Sequence, residues 1–300
     1  MKRKVIQLAG KTHVISLPSS WVKQYKIIKG QELDVIPQGK TIIITASGDL
    51  GESTKHLDIS GFSRSLIRRC LGALYKAGFD KFEVRFTNPR EYADSQEVVY
   101  EEFLGFEIVN QEKNSFSVRQ LSYVQPEELP IVVRRIFLII QGMADESLEA
   151  ITKKDKQWLS SISLRDLSVN KLADFCRRIL NKQGLSEQRK VAPFYFIIET
   201  LEKIGDVYRD YAQLSSEELP KDKNLLLLHK KINSFYQHFY HLFYNFQLAD
   251  VDRFITEKNI LEKEFDKYLH TTKNSQQAIL LYTLINMIYD LNGPLMAYQL

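Results

Sequence analysis

A chain of 300 residues, 44% apolar and 26% charged, has the composition of a water-soluble globular protein and length enough for two or three domains. Its most apolar runs, Ile136–Ile140 and Val191–Ile198, fall short of the ~20 residues that cross a bilayer, and the opening residues break at Gly10-Lys11-Thr12-His13 before any leader-like stretch forms, so a cytoplasmic location without a membrane span is expected. The two cysteines, Cys70 and Cys176, are far apart and outside any C-x-x-C pattern, which excludes a disulfide framework or thiolate zinc site and leaves each as a small apolar side chain.

The net charge of +4 is unevenly spread. Residues 1–45 hold eight lysines and arginines against Glu32 and Asp34, a net +6, so the remainder carries −2. Such asymmetry points the first segment at a polyanion.

The first segment, residues 1–48, reads as short strands. Val5–Leu8 leads through a glycine turn into Thr12–Leu17, Pro18 opens a short helix over Ser19–Tyr25, and Glu32–Ile36 and Thr41–Thr45 form a second hairpin around Gln38-Gly39. Leu33 and Val35, and Ile42 and Ile44, alternate with polar residues and mark one apolar face. A unit this small encloses little core by itself, so it is expected to pair with a second copy. Pairing also covers strand edges that otherwise invite aggregation.

The run Gly10-Lys11-Thr12-His13-Val14-Ile15-Ser16-Leu17-Pro18-Ser19-Ser20-Trp21, followed by Lys29-Gly30-Gln31-Glu32-Leu33, resembles the swapped-hairpin AbrB/SpoVT domain over almost all of residues 1–45. Thr12 stands where that family often has a second basic residue. The resemblance implies an interleaved homodimer on double-stranded DNA. Lys2, Arg3, Lys4 and Lys11 would be its first contacts, and Ser19, Ser20 and Lys23 secondary ones.

The middle segment, residues 55–123, changes period repeatedly. A strand at Leu57–Ile59, a helix through Leu66, Ile67, Cys70, Leu71, Leu74 and Ala77 stopped by Gly78, a strand over Phe82–Phe86, a helix over 91–104 and a hairpin over 106–121 give a βαβαββ order and a small α/β domain. Arg64, Arg68 and Arg69 on its first helix read as a solvated face, with a second DNA contact as the alternative. No chemistry is assigned to this segment.

The third segment, residues 126–300, is helical. Helices are expected from Pro126 to Lys154, from there to Lys182, over 188–214, and, past a linker at Pro220, over 222–248, 250–270 and 275–299, with Asn274-Ser275 at the last boundary. These form two three-helix repeats, 126–214 and 220–300. The apolar stripe of the third helix runs through Phe194, Ile197, Leu201, Ile204, Tyr208 and Tyr211. The fold class is thus multidomain: a β-rich swapped hairpin, an α/β linker domain, and an all-α pair of three-helix bundles.

On that third helix Glu202, Asp206 and Asp210 follow one another at one-turn spacing, with Glu199 just before. Like charges so placed repel, and an oxygen-preferring cation would relieve them; spacing alone equally describes a solvated acidic face. The phrase Leu201-Glu202-Lys203-Ile204-Gly205-Asp206 resembles the third-helix signature of PhoU proteins, and Asp166–Leu172 resembles that family's second-helix pattern. The likeness spans roughly residues 126–300. It implies a phosphate-homeostasis regulator holding a divalent or trivalent metal ion, with Glu202, Asp206, Asp210, Asp166 and, in the second repeat, Asp290 as ligands. The second repeat departs from the pattern, with Asn286 in place of the glutamate.

The fourth helix is crowded with aromatics from Phe235 to Phe246. His238 and His241, at i, i+3, offer either metal ligands or ordinary core and interface packing. Gly39-Lys40-Thr41 lacks the earlier glycine of a phosphate loop, and no motif of zinc protease, serine hydrolase or dinucleotide enzyme occurs, so no catalysis is expected. Two readings follow: a dimeric DNA-binding regulator of phosphate uptake, or a metal-binding signalling adaptor of a phosphate transporter or kinase whose first segment only dimerises. A third, an antitoxin, fits poorly with so large a folded second half.

Overall fold

The computed structural model describes residues 2–38, 41–46, 53–122, 128–271 and 276–300. Gly39 of the expected Gln38-Gly39 turn, the helix start at Pro126 and the boundary at Asn274-Ser275 lie outside them. The chain divides into two compact units, residues 1–53 and 54–300.

In the first unit, β1 (Ile6–Leu8) and β2 (Thr12–Val14) pair antiparallel, Ile6 opposite Val14. Ala9 and Gly10 both take positive φ in the connecting turn, closed by Lys11 N–H donating to the Leu8 carbonyl at 3.3 Å. Turns of this hand match the twist of the flanking strands, and glycine enters them without strain. Helix α1 (Ser19–Gln24) follows Pro18, and β3 (Leu33–Gln38) and β4 (Thr41–Ala46) form the second antiparallel pair, Val35 opposite Ile44. Val5, Ile6, Leu8, Ile15, Tyr25, Ile28, Val35 and Ile42 of this unit are all exposed.

The second unit begins with a four-stranded sheet in the order β5-β6-β8-β7, made of β5 (Thr54–Asp58), β6 (Lys81–Arg85), β7 (Phe106–Gln111) and β8 (Ser115–Gln120). Only β5 and β6 run parallel, joined by the crossover helix α2 (Arg64–Ala77); α3 (Pro89–Glu102) links β6 to β7. The element order is the βαβαββ read from the sequence. Ser63 caps α2 through the Leu66 amide, and Gly78 ends it at φ 95°. Asn88 and Glu91 form a reciprocal capping box on α3. Tyr75, Phe82, Val84, Phe103, Phe106 and Phe116 are buried together in this layer.

The rest is helical: α4 (Leu129–Lys153), α5 (Lys156–Ser163), α6 (Asp166–Gln183), α7 (Val191–Glu217), α8 (Lys223–Tyr244), α9 (Leu248–Thr271), α10 (Gln276–Asp290) and α11 (Asn292–Gln299). Two of the expected helices are each broken in two. Around Leu164-Arg165 the ladder tightens to three-residue hydrogen bonds, Arg165 N–H to the Ile162 carbonyl at 3.0 Å. Beyond Asp290, Pro294 has no N–H to donate back to the Asp290 carbonyl, and the chain restarts as α11. The stripe of α7 is buried as expected, and the helical core is continuous from Leu129 to Leu295. Among the described residues no helix is long and apolar enough to cross a membrane.

The α/β layer and the helices are held by Arg178 of α6, whose side chain is nearly fully buried. Its guanidinium donates to the carbonyls of Tyr75 and Phe79 at 2.9 and 2.7 Å, to Asp80 Oδ1 at 2.9 Å and to Gln120 Oε1 at 2.9 Å. It also lies over the Phe106 ring, 4.7 Å from its centroid. Gly78 permits the approach, because a Cβ there would come within 3.1 Å of Lys182 Cβ.

Candidate functional site

Helices α6 and α7 come close at Gly205, where an added Cβ would meet Val169 Cγ1 at 3.1 Å and Asp166 Oδ1 at 3.4 Å. This explains a glycine in mid-helix, where it costs about 1 kcal/mol against alanine. The contact brings the first residue of α6, Asp166, beside the acidic edge of α7.

Asp166 is 2% exposed. Its Oδ2 accepts from Asn170 Nδ2 at 3.0 Å and from Arg209 Nη1 at 2.8 Å, while its Oδ1 and the Asn170 Oδ1 are buried without a hydrogen-bond partner. The same Arg209 nitrogen donates to Asp206 Oδ1, and Nε donates to Asp210 Oδ1 at 2.9 Å. Burial raises the Asp166 pKa against the pull of Arg209. Glu202, one turn before Asp206, is pushed up to about 7, first by burial and then by Asp206, Glu199 and Asp174, with Arg177 opposing.

Arg177, buried on α6, pairs with Glu199, with Asp174 at 3.0 Å and more loosely with Glu202 at 3.8 Å. The acidic edge is therefore interleaved with guanidinium groups. Arg209, three residues after Asp206, is visible in the sequence; Arg177 arrives from another helix and is not, although two adjacent arginines amid the apolar residues of α6 hint at buried charge. Among the described residues no three histidine, cysteine or carboxylate side chains converge closely enough to hold a metal ion as they stand. Of the five ligands implied by resemblance, Asp166, Glu202 and Asp206 are brought together, Asp210 lies beyond Arg209 with half its side chain exposed, and Asp290 is exposed at the end of α10, outside this network.

A polar cleft of about 390 Å³ opens over this network. One wall is α2, which presents Ser65, Arg68, Arg69, Gly72 and Lys76; the other is formed by Asn170 and Asp174 of α6 and Glu202, Asp206 and Arg209 of α7. Arg68 pairs with Glu102 at 2.6 Å, and Lys76 approaches Asp174 at 3.5 Å. Arg69 has no ion pair among the described residues. The arginines of α2 are all exposed, as on a solvated face, and two of them line a cleft that no local pattern in the sequence marks.

In the first unit Lys2, Arg3, Lys4 and Lys11 are all exposed, as are Ser19, Ser20 and Lys23 on α1. The pairing register places Lys4 at the open end of the first hairpin and Lys11 at its closed end, so a single copy does not gather them. Val5, Ile6, Leu8, Ile15, Val35 and Ile42 are all more than half exposed.

The histidines of α8 do not form a pair. His238 Nδ1 lies 2.6 Å from Glu257 Oε2 of α9, and His241 is exposed. Phe235, Tyr236 and Phe239 are core residues, in agreement with the packing alternative. Cys176 is buried, its thiol pushed up to about 12 by loss of solvent, whereas Cys70 is only partly covered.

Comparison with known proteins gives one match: residues 133–215, from α4 to the last turns of α7, fit the PhoU domain. Neither the curated proteins nor the solved structures give a match. The matched stretch contains Asp166, Asn170, Arg177, Glu202, Gly205, Asp206 and Arg209.

Proposed function

We propose, from a chain whose helical half carries a PhoU-like domain, that this protein is a DNA-binding regulator of phosphate uptake. PhoU domains are regulatory or adaptor domains without catalytic activity, and a role in phosphate-related regulation follows from the match itself. The DNA-binding part of the reading rests on one observation. The first unit exposes Val35 and Ile42 of its apolar alternation, and its residues 1–45 carry a net charge of +6, an arrangement that a second copy would turn into a buried seam flanked by cations. In this reading two copies interleave through β1–β4, and Lys2, Arg3, Lys4 and Lys11 of both copies grip phosphates of double-stranded DNA. The resemblance of residues 10–33 to AbrB/SpoVT domains motivates it, while the family match lies elsewhere, at residues 133–215. Phosphate contacts position the protein but do not specify an operator.

The helical half acts as sensor or adaptor, and a divalent cation is proposed at its acidic network. The donors present suit a hard cation: an all-oxygen set of Asp166, Asn170, Glu202 and Asp206, two of whose buried oxygens have no partner. When bound, the ion would supply positive charge that draws α6 and α7 together in place of Arg209.

Sedimentation of the full chain, followed by gel shifts on a random-sequence DNA pool, tests the regulator reading. A dimer that shifts DNA at moderate salt is expected. A dimer that leaves the DNA untouched would favour the adaptor reading, and a monomer would remove the basis of both.

A further inference from the structure

The geometry points to a ligand site between the α/β layer and the PhoU-like helices that takes a small, phosphate-sized oxyanion together with a divalent cation. This inference rests on the metal proposed above and extends it across the cleft to α2.

The two walls differ in sign. Arg68, Arg69 and Lys76, at helical spacing on α2, form a basic wall; Asn170, Glu202 and Asp206 form an oxygen-rich wall opposite. Within this cleft Arg68 and Lys76 already have carboxylate partners, while Arg69 has none among the described residues. On the other side, Asp166 is almost fully buried and holds an unpartnered oxygen beside Asn170 and Arg209, both of which line the cleft. A lone anion would meet the carboxylates and be repelled. A lone cation would satisfy one wall and leave Arg69 facing it. An oxyanion coordinated to a divalent ion satisfies both, its free oxygens accepting charge-assisted hydrogen bonds from Arg69 and its neighbours.

The walls are also held in fixed opposition. Arg178, one turn beyond Asp174, bolts α6 to the end of α2 through the carbonyls of Tyr75 and Phe79. This fixes α2 against α6, while on α7 the Arg209 guanidinium must leave Asp166 and Asp206 before the cation can enter. This gives the α/β layer a role: it supplies the half of the site that recognises the anion.

The test is calorimetric titration of the full chain with manganese(II) alone, with inorganic phosphate alone, and with phosphate after manganese, repeated on Arg69→Ala. Manganese alone is expected to bind, and phosphate only after it. Arg69→Ala should weaken phosphate by about tenfold or more, the loss of one charge-assisted contact, with manganese affinity unchanged. Arg69 is exposed, and an unchanged melting curve would show that the variant folds. Absence of manganese binding overturns the metal reading and this inference with it. Manganese binding with no phosphate binding, or phosphate binding indifferent to Arg69, overturns this inference alone.

Discussion

Replacing Arg178 with methionine removes the fork that joins the α/β layer to the helices and keeps most of the side-chain volume. Four acceptors lose a donor: the carbonyls of Tyr75, which keeps the Gly78 amide at 3.1 Å, and Phe79, and the side chains of Asp80 and Gln120. Asp80 keeps Lys182 as its partner, so its charge is not stranded. The cost therefore lies in buried acceptors left without a donor, about 1–3 kcal/mol each, or about 3–5 kcal/mol together. For a unit of this size each kcal/mol moves the melting temperature by about 2–4 °C, so a fall of roughly 10 °C is expected. Urea titration of the full chain measures the loss directly. Hydrogen exchange localises it: the Gln120 amide, bonded to the Asp80 carbonyl at 2.9 Å, and the Gly78 amide should exchange faster, while the buried turns of α8 hold. Arg178→Lys should fall between, keeping the charge but not the fork. A loss below about 1 kcal/mol in the methionine variant, within the ordinary range for surface substitutions and their neighbours, would refute the idea that this residue fastens the two layers.

Other outcomes follow from the acidic network. Glu202, with an ordinary value of 4.5 and pushed up to about 7, favours its protonated form in the folded chain, so its contribution to stability is intact below pH 4.5 and is lost as the pH rises through 7. With chelator present, Glu202→Gln should match the parent near pH 4 and exceed it at pH 8 by up to about 3 kcal/mol, because each tenfold change in proton affinity is worth about 1.4 kcal/mol; equal pH profiles in denaturant melts would count against it. Arg209→Ala should tighten manganese binding by about tenfold or more while lowering metal-free stability, because it removes the competing cation from Asp166 and Asp206; weaker binding in calorimetry would deny the competition. Gly205→Val forces side chain into the Val169 contact and should cost about 1–3 kcal/mol, read by thermal melting.

Much of the fold is legible in the sequence because periodicity and punctuation are local. Gly78 stops α2, the apolar stripe of α7 is buried at every residue named for it, and the βαβαββ order emerges from alternation alone. The break at Leu164 leaves no such mark, since apolar spacing continues through it and only the hydrogen-bond ladder changes, whereas the break at Leu291 is marked by Gly293-Pro294, which a helix read through to 299 passes over. The acidic edge is legible as spacing, but its neutralisation is not. Arg177, Arg178 and the basic wall of α2 are distant in sequence from the carboxylates and carbonyls they meet, and pairing of that kind is set by helix packing, which no local pattern encodes.

The most direct measurement is the salt dependence of DNA binding by the 300-residue chain, followed by fluorescence anisotropy between low and moderate ionic strength. If Lys2, Arg3, Lys4 and Lys11 of two copies meet about eight phosphates, the logarithm of the binding constant should fall against the logarithm of salt with a slope of about −7. A slope near zero, or no binding at any salt, would contradict the account.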